Sequence, residues 1–223
     1  ARIFQLMNNY LGHMEPIIKS QGGFIDKYIG DAIMALFAGT ADSAVLAGIE
    51  MQKELANFNR ELMAEEKSPI EIGIGINTGT LILGTLGSRG RLETSVISDA
   101  VNVAERIEEL TKEYECRLLI SDSTYKLLIK PERFEVRFIG RTAIRGKEQE
   151  IGLWEVYNGD PDELRYAKLA IAKHYNEAIV LYNEGAYQKA LGLFQRCLLN
   201  LPHDKPIQKY IESCQKLLSK EFS

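Results

Sequence analysis

The hydrophobic pattern of the first 62 residues predicts two helices separated by a β-hairpin. Apolar side chains at helical spacing run through residues 3–18 and again through residues 44–62. Between them, residues 24–37 form two apolar runs joined by a Gly-Asp turn, which is typical of a hairpin. Because the outgoing run is apolar on both faces, we expect that strand to be buried in a sheet covered on both sides.

The middle of the chain mixes strand and helix patterns. Residues 70–77 alternate isoleucine with small or polar residues, and the glycines on one face indicate that another backbone or a ligand lies close. Further strands are predicted at 81–86, 94–97, 116–120, 134–139 and 151–156, and helices at 98–110 and 121–128.

The pattern changes after Tyr157. Residues 158–163 have the composition of a linker, and only helical patterns follow. Six residues fall at the spacing of one tetratricopeptide repeat: Gly185, Tyr187, Ala190, Phe194, Cys197 and Pro202. A single repeat cannot bury both of its faces, so we expect it to dock on the preceding domain or on another chain. The predicted organisation is a domain at 1–157, a linker at 158–163 and a helical tail at 164–223.

Composition excludes several classes of function. The 223 residues carry a net charge of −4, which argues against nucleic acid as a partner. No apolar run is long enough for a membrane span, so no membrane contact is expected within this piece. Three isolated cysteines argue against a disulfide framework and for a cytoplasmic location. The chain opens inside a helical pattern, which predicts that a natural N-terminal part precedes Ala1.

Three charges stand in the apolar hairpin: Asp26, Lys27 and Asp31. A carboxylate at the tip of a buried hairpin is costly unless a cation or hydrogen-bond donors meet it. Surface turns also carry aspartate, so the pattern alone favours neither interpretation of Asp31. Asp26 is interpreted as a solvated or paired carboxylate.

A second candidate pair is Asn102 and Arg106, whose i,i+4 spacing places them on one helix face. Spacing alone favours a solvated polar face on which Arg106 pairs with Glu109 or Glu105. The segment 141–147 concentrates three cations in a basic turn, which becomes a phosphate site only if the fold directs it at one.

Four blocks in order carry a resemblance to a known family: GGFIDKYIGDAIMALF, IEIGIGINTGTLILGTLGS, RLETSVISDAVNVAERIEELT and IRGK. Residues 3–157 resemble the catalytic domain of a class III nucleotide cyclase. The resemblance implies an α+β fold, a ferredoxin-like α/β sandwich with a mostly antiparallel sheet. The tail is similar to the repeat segment that follows this domain in some bacterial multidomain cyclases.

The resemblance implies adenylate cyclase activity, in which the ribose 3′-hydroxyl of ATP attacks the α-phosphate in line to give 3′,5′-cyclic AMP and pyrophosphate. Two metal ions per site, Mg²⁺ or Mn²⁺, would activate the nucleophile and neutralise the phosphates. Asp31 matches one metal ligand. The other carboxylate is expected on a strand upstream of Ala1, which leaves the activity of residues 1–223 alone open.

The resemblance also implies how the nucleotide is bound. Lys27 matches a lysine that donates to N1 of adenine, a contact that the N1–H of guanine would not accept. Ser95 stands where a partner residue accepts from the adenine amino group. Asn102 matches the residue that orients the ribose, Arg106 the one that stabilises charge at the α-phosphate, and Arg145 a phosphate-binding cation. This match outweighs the polar-face interpretation of the helix.

In this family the site lies between two protomers, so a homodimer with two sites is expected. Asp31 would come from one chain, and Lys27, Ser95, Asn102, Arg106 and Arg145 from the other. Two alternatives remain: a guanylate cyclase, disfavoured by Lys27, and a non-catalytic cyclase-like scaffold that dimerises and binds nucleotide. The tail either recruits a protein partner or braces the domain.

Overall fold

A computed structural model describes residues 2–88, 91–143 and 150–221 and has an α+β fold. The helices are α1 (Arg2–Ser20), α2 (Ala41–Ala64), α3 (Asp99–Tyr114), α4 (Asp122–Lys126), α5 (Asp162–Asn183), α6 (Tyr187–Asn200) and α7 (Lys205–Glu221). The strands are β1 (Gly23–Ile29), β2 (Ala32–Phe37), β3 (Ile74–Ile76), β4 (Ile82–Ser88), β5 (Arg91–Ile97), β6 (Leu118–Ser121), β7 (Val136–Thr142) and β8 (Ile151–Val156). Within the described ranges, no helix is long and apolar enough to cross a bilayer.

The described strands form three sheets. The largest has the order β3-β6-β8-β7, in which β3 and β6 are parallel and the other neighbours antiparallel. The hairpins β1-β2 and β4-β5 each form a two-stranded antiparallel sheet. The mixture of helices with mostly antiparallel strands agrees with the predicted α+β class.

The predicted hairpin is present, but its burial was predicted wrongly. Gly30 has φ +64° at the turn, a conformation that favours glycine. One face of the hairpin packs on the core between α1 and α2, through Ile25, Ile33, Ala35 and Phe37. On the opposite face Phe24 and Ile29 are exposed, and in β2 only Leu36 is buried. Most of the outgoing strand is therefore only partly buried rather than covered on both faces, and among the described strands it pairs with β1 alone.

Strand β3 is shorter than predicted, and a helix lies directly against its glycine face. A Cβ atom on Gly75 would lie 2.3 Å from the backbone nitrogen of Glu108 and 2.5 Å from the carbonyl oxygen of Ala104. The expected close backbone is thus that of α3. Side chains of α3 complete this packing in a core with β6, β7 and β8, formed by Val103, Ile107, Leu110, Cys116, Leu119, Ile139 and Leu153.

Helices α5, α6 and α7 share a core of their own and dock on the preceding sheet. Phe138 of β7 packs against that core, and the Tyr175 hydroxyl donates to the carbonyl oxygen of Phe138 at 2.7 Å. Docking on the preceding domain, one of the two expected arrangements, is therefore observed. Helix α5 begins at Asp162, inside the predicted linker, and the division of the chain at 158–163 stays a prediction.

Five charged side chains join the sheet to these helices, and we call them the buried charge cluster: Arg137, Glu155, Asp160, Lys168 and Asp204. Arg137 contacts Glu155 at 2.5 Å and Asp204 at 2.6 Å. Lys168 contacts Glu155 at 2.6 Å and Asp160 at 2.5 Å. Burial alone would raise the pKa of the Glu155 carboxyl, but Arg137 and Lys168 lower it to about 2. The carboxylate is therefore charged at neutral pH, and the cluster holds sheet and helices together.

Helix α7 also reaches the C-terminal end of α3. The Lys209 ammonium lies 2.7 Å from Glu113 and 4.9 Å from the ring centre of Tyr114, and Lys205 lies 3.6 Å from Glu115. The last turn of α3 is thus in contact with the last described helix.

Candidate functional site

Lys27 and Asp31 lie on the β1-β2 hairpin. Lys27 is on the incoming strand, its side chain is 44% exposed, and its ammonium lies 3.2 Å from Oδ2 of Asp26. The Asp26 side chain is only 3% exposed. Of the two interpretations of Asp26 that the sequence allowed, the structure has the paired one.

Asp31 is exposed at the tip of the hairpin. Burial, and secondly the charge of Asp31, raise the pKa of Tyr10 to about 12, so the phenol stays protonated at neutral pH. Tyr10 belongs to the core between α1 and α2. That core therefore fixes the base of the hairpin while the Asp31 carboxylate stays accessible.

A metal ion would find a suitable ligand in Asp31. Mg²⁺ prefers oxygen ligands and is usually held by one or two carboxylates together with substrate phosphates. In the described part of the chain, no group of three or more His, Cys, Asp or Glu side chains is placed to hold a metal by itself. A lone carboxylate such as Asp31 could thus serve as one ligand among several.

The second half of the predicted site is on α3, whose first turn is fixed by two polar side chains. Ser98 caps the helix, accepting from the backbone nitrogen of Ala100 at 2.9 Å and donating to the carbonyl oxygen of Thr80 at 2.6 Å. The Asn77 amide donates to the carbonyl oxygen of Ala100 at 3.0 Å. Together with the contact at Gly75, these bonds set the direction of the helix.

Asn77 is a positioning residue that the sequence analysis missed. Its side-chain oxygen accepts from the hydroxyls of Ser121 at 2.7 Å and Ser123 at 2.9 Å, so it also ties α3 to the start of α4. The sequence feature that could have indicated this role is a polar residue directly after a strand that alternates isoleucine and glycine. Ser98, the first residue of the helix predicted at 98–110, is the N-cap.

Asn102 and Arg106 share the outer face of α3, as their spacing predicts. Asn102 is exposed, and the half-exposed Arg106 guanidinium donates to Glu109 at 2.7 Å. This pair is the one expected for a solvated polar face. An exposed pair of this kind is worth only about 0.5 kcal/mol, so it would not hold Arg106 back from an anionic ligand.

Two predicted residues are described incompletely or not at all. The backbone of Ser95 is in β5 opposite Gly84, but its side chain is outside the described part. Arg145 lies outside the described residues altogether. Neither position adds to the site geometry.

Within one chain the predicted residues fall into two groups on different cores. The hairpin with Lys27 and Asp31 packs on α1 and α2, whereas α3 with Asn102 and Arg106 packs on β6, β7 and β8. One open cleft of about 570 Å³ lies elsewhere, between α3, β7 and the C-terminal helices, and its walls include Tyr114 and Tyr210. Among the described residues of one chain, the predicted site residues therefore lie on two exposed surfaces.

The sequence of this chain matches a known protein family. Residues 1–156 match the family described as the adenylate and guanylate cyclase catalytic domain. The chain belongs to this family. The matched range includes both exposed groups and the three described sheets.

Two curated relatives extend the comparison of the cyclase domain. An adenylate cyclase of Anabaena cylindrica is 47% identical over 160 residues, covering 69% of this chain and 32% of that protein. The terminal-differentiation-specific adenylate cyclase of Dictyostelium discoideum is 37% identical over 218 residues, covering 95% of this chain and 10% of that protein. The second match extends well into the C-terminal helices. The chain spans a third or less of the length of these relatives.

Solved structures show the same fold. The crystal structure of the adenylyl cyclase CyaB from P. aeruginosa is similar with a TM-score of 0.61 and 32% identity, covering 70% of this chain and 82% of that one. A guanylyl cyclase structure is similar with a TM-score of 0.60 and 29% identity, covering 72% of this chain and 83% of that one. The fold is therefore shared by cyclases of both base specificities.

Proposed function

We propose that this chain is an adenylate cyclase catalytic domain that converts ATP to 3′,5′-cyclic AMP and pyrophosphate. The observation that carries the proposal is the exposed hairpin, which presents a lysine cation and, four residues later, an accessible carboxylate at the turn. Similarity to proteins named adenylate cyclase supports it. Lys27 supports ATP over GTP, because an ammonium donates hydrogen bonds and cannot accept one from N1–H of guanine.

Each predicted site residue has a proposed role in binding the nucleotide or in the reaction. Lys27 and Ser95 bind the base, Asn102 orients the ribose so that its 3′-hydroxyl faces the α-phosphate, and Arg145 binds phosphate. Arg106 donates to the oxygens on which negative charge grows as pyrophosphate leaves, a kind of stabilisation worth a few kcal/mol. Asp31 holds one of two divalent ions, which supply activation of the nucleophile and neutralisation of phosphate charge when bound.

The active unit is proposed to be a homodimer with two sites. Apolar side chains on the free face of the hairpin and on β4 support an interface there: Phe24 is 41% exposed, Ile29 55%, Ile82 67% and Leu83 50%. Two copies of the chain would bring Asp31 of one protomer to Lys27 and the α3 face of the other. In such a dimer, Lys27 and Asp31 of one hairpin serve different sites.

The first metal carboxylate is proposed to come from a strand that joins the hairpin to the main sheet. Both β2 and β3 have an edge that pairs with no other described strand, and α2 packs against both strands. A strand between them would unite the two sheets into the expected ferredoxin-like sandwich. Its identity can be read from the residues that precede Ala1 in the natural protein: an Asp on an apolar strand, followed by a glycine-containing turn, supports the enzyme.

The C-terminal helices are proposed to be a tetratricopeptide-like pair, α5 and α6, capped by α7. Gly185 turns the chain at φ +81°, and Ala190, Phe194 and Cys197 are buried at the expected positions. Their docking through the buried charge cluster supports a bracing role. A reducing, cytoplasmic location is proposed because Cys116, Cys197 and Cys214 are free and buried.

A direct test compares turnover of ATP and GTP by the full-length protein with Mn²⁺. We expect ATP to be used with a kcat/KM at least tenfold above that of GTP, and Lys27→Met to reduce this preference by about tenfold, since one lost hydrogen bond from a charged group is worth 1.5–3 kcal/mol. Equal or better use of GTP by the unaltered protein would refute the assignment of the base.

The alternative is a non-catalytic module that dimerises and binds nucleotide. The observation that favours it is the single accessible carboxylate on the described hairpin. Nucleotide binding without cyclic product, in a full-length protein whose upstream strand lacks an aspartate, would establish it.

A further inference from the structure

The incoming strand of the hairpin contains a β-bulge directly at the proposed base-reading lysine. In a regular strand, consecutive side chains point to opposite faces. In β1, Ile25 pairs with Ala35 of β2, and Lys27 pairs with the neighbouring Met34. Asp26 has no partner in β2 and is the extra residue. The bulge turns the two side chains toward each other, and the Lys27 ammonium lies 3.2 Å from Oδ2 of Asp26.

The two partners are buried to very different extents. The Asp26 side chain is 3% exposed and that of Lys27 is 44% exposed. Among the described residues, no hydrogen-bond donor meets Oδ2 of Asp26, and the contact with Lys27 has the distance of an ion pair without hydrogen-bond angles. A buried carboxylate oxygen without a donor is unfavourable, so the nearby ammonium is its main compensation. The ion pair therefore stabilises mainly the buried Asp26 carboxylate.

We propose that Asp26 is a positioning residue that holds Lys27 in place for the nucleobase and so contributes to the choice of ATP over GTP. The inference rests on the proposed role of Lys27. A free lysine side chain samples many rotamers and loses this freedom when it binds. Pairing with Asp26 restricts the stem before the nucleotide arrives, while the exposed side of the ammonium keeps donors for N1 of adenine.

The test is the neutral, nearly isosteric variant Asp26→Asn in the full-length protein. We expect the KM for ATP to rise about fivefold with kcat nearly unchanged, because base binding contributes equally to ground and transition states. The preference for ATP over GTP should fall by a similar factor. Asp26→Glu, which keeps the charge, should retain the preference within about twofold.

A matched control removes a carboxylate from an ion pair that has no proposed role. Glu50→Gln breaks the surface contact with Lys53, which measures 2.9 Å. It should leave both KM values and the nucleotide preference unchanged. If Asp26→Asn does not fold, Asp26→Ser replaces it. The same rise in the KM for ATP and the same fall in the preference for ATP are expected.

The outcomes separate this inference from the proposed function. If Lys27→Met leaves the ATP preference unchanged, the role of Lys27 itself fails. If Lys27→Met lowers the preference and Asp26→Asn does not, the positioning role of Asp26 alone is overturned. It is also overturned if the neutral variants lower kcat equally for both nucleotides with a lower Tm, or if neither folds, because Asp26 is then required for the fold.

Discussion

Arg106 is the residue whose present partner and proposed partner differ. In the single chain it donates to Glu109, one helical turn away, and both side chains are about half exposed. In the proposed reaction it faces the α-phosphate of a nucleotide held partly by the other protomer. The intrahelical pair is weak enough for Arg106 to exchange Glu109 for an anionic ligand.

We expect Arg106→Ala to lower kcat by about 10²–10³-fold, since a donor aimed at developing negative charge is worth roughly 3–4 kcal/mol. Steady-state kinetics with ATP and Mn²⁺ measure the loss. Tm and the dimer fraction in analytical ultracentrifugation should stay unchanged. Glu109→Gln is the matched control, because it removes the intrahelical partner and should leave turnover intact; a dissociated Arg106→Ala dimer would show a structural role instead.

At the same scale, the sequence predicted the identity of candidate residues better than their surroundings. The spacing of Asn102 and Arg106 was sufficient to place them on one face, because helical periodicity is local. The burial of Asp26 was not predictable, because the dipeptide Asp-Lys does not indicate a β-bulge. Asn77 was missed for a related reason: its partners are 23 to 46 residues away in sequence.

At the scale of elements, the contact between β3 and α3 sets the direction of the helix face that carries Asn102 and Arg106. Gly75 permits the helix backbone to approach so closely that no side chain fits between them. The alternation of isoleucine and glycine predicted this proximity, although it could not identify α3 as the neighbour. The hairpin was predicted from its turn and apolar runs, whereas the extent of its burial depends on which elements pack against its two faces, a non-local property.

Gly75→Ala tests this contact. The added methyl group would lie 2.3 Å from the Glu108 nitrogen, a backbone atom that cannot move without shifting α3. We expect a loss of about 1–3 kcal/mol in the free energy of unfolding measured with urea, together with reduced turnover. The control is Gly192→Ala in α6, where an added Cβ meets nothing within 4 Å, so the same change should stabilise by about 0.5–1 kcal/mol. Equal effects of the two substitutions would contradict close packing at β3.

At the scale of the whole molecule, the buried charge cluster ties residues that are far apart in sequence. Arg137 and Glu155 belong to the sheet, Asp160 to the connection before α5, Lys168 to α5 and Asp204 to the turn before α7. One repeat cannot cover both of its faces, so docking on the preceding domain or on another chain was expected, and docking on the preceding domain is observed. The charges that achieve it were not predicted, because pairing across up to 67 residues depends on the assembled fold.

Arg137→Ala should destabilise the whole unit. The change leaves Glu155 without one of its two cations and Asp204 without its buried partner, and breaking a buried pair on one side costs about 3–5 kcal/mol. Urea unfolding followed by circular dichroism measures the loss. Arg165→Ala is the control, since its pair with Glu135 is partly exposed and should cost less than about 1 kcal/mol. Comparable losses would mean that the cluster does not stabilise the docked helices.

The shared charges also constrain how such a protein is rearranged over evolutionary time. A gene fusion with its breakpoint in the segment 158–163 would deliver a catalytic region whose Arg137 and Glu155 have lost Asp204 and Lys168, and α3 would lose the neighbour at its last turn. The fold of such a fusion protein would be less stable than that of the parent. Breakpoints beyond α7 carry no such penalty, so catalytic region and helices are expected to be inherited together, as one exchangeable module.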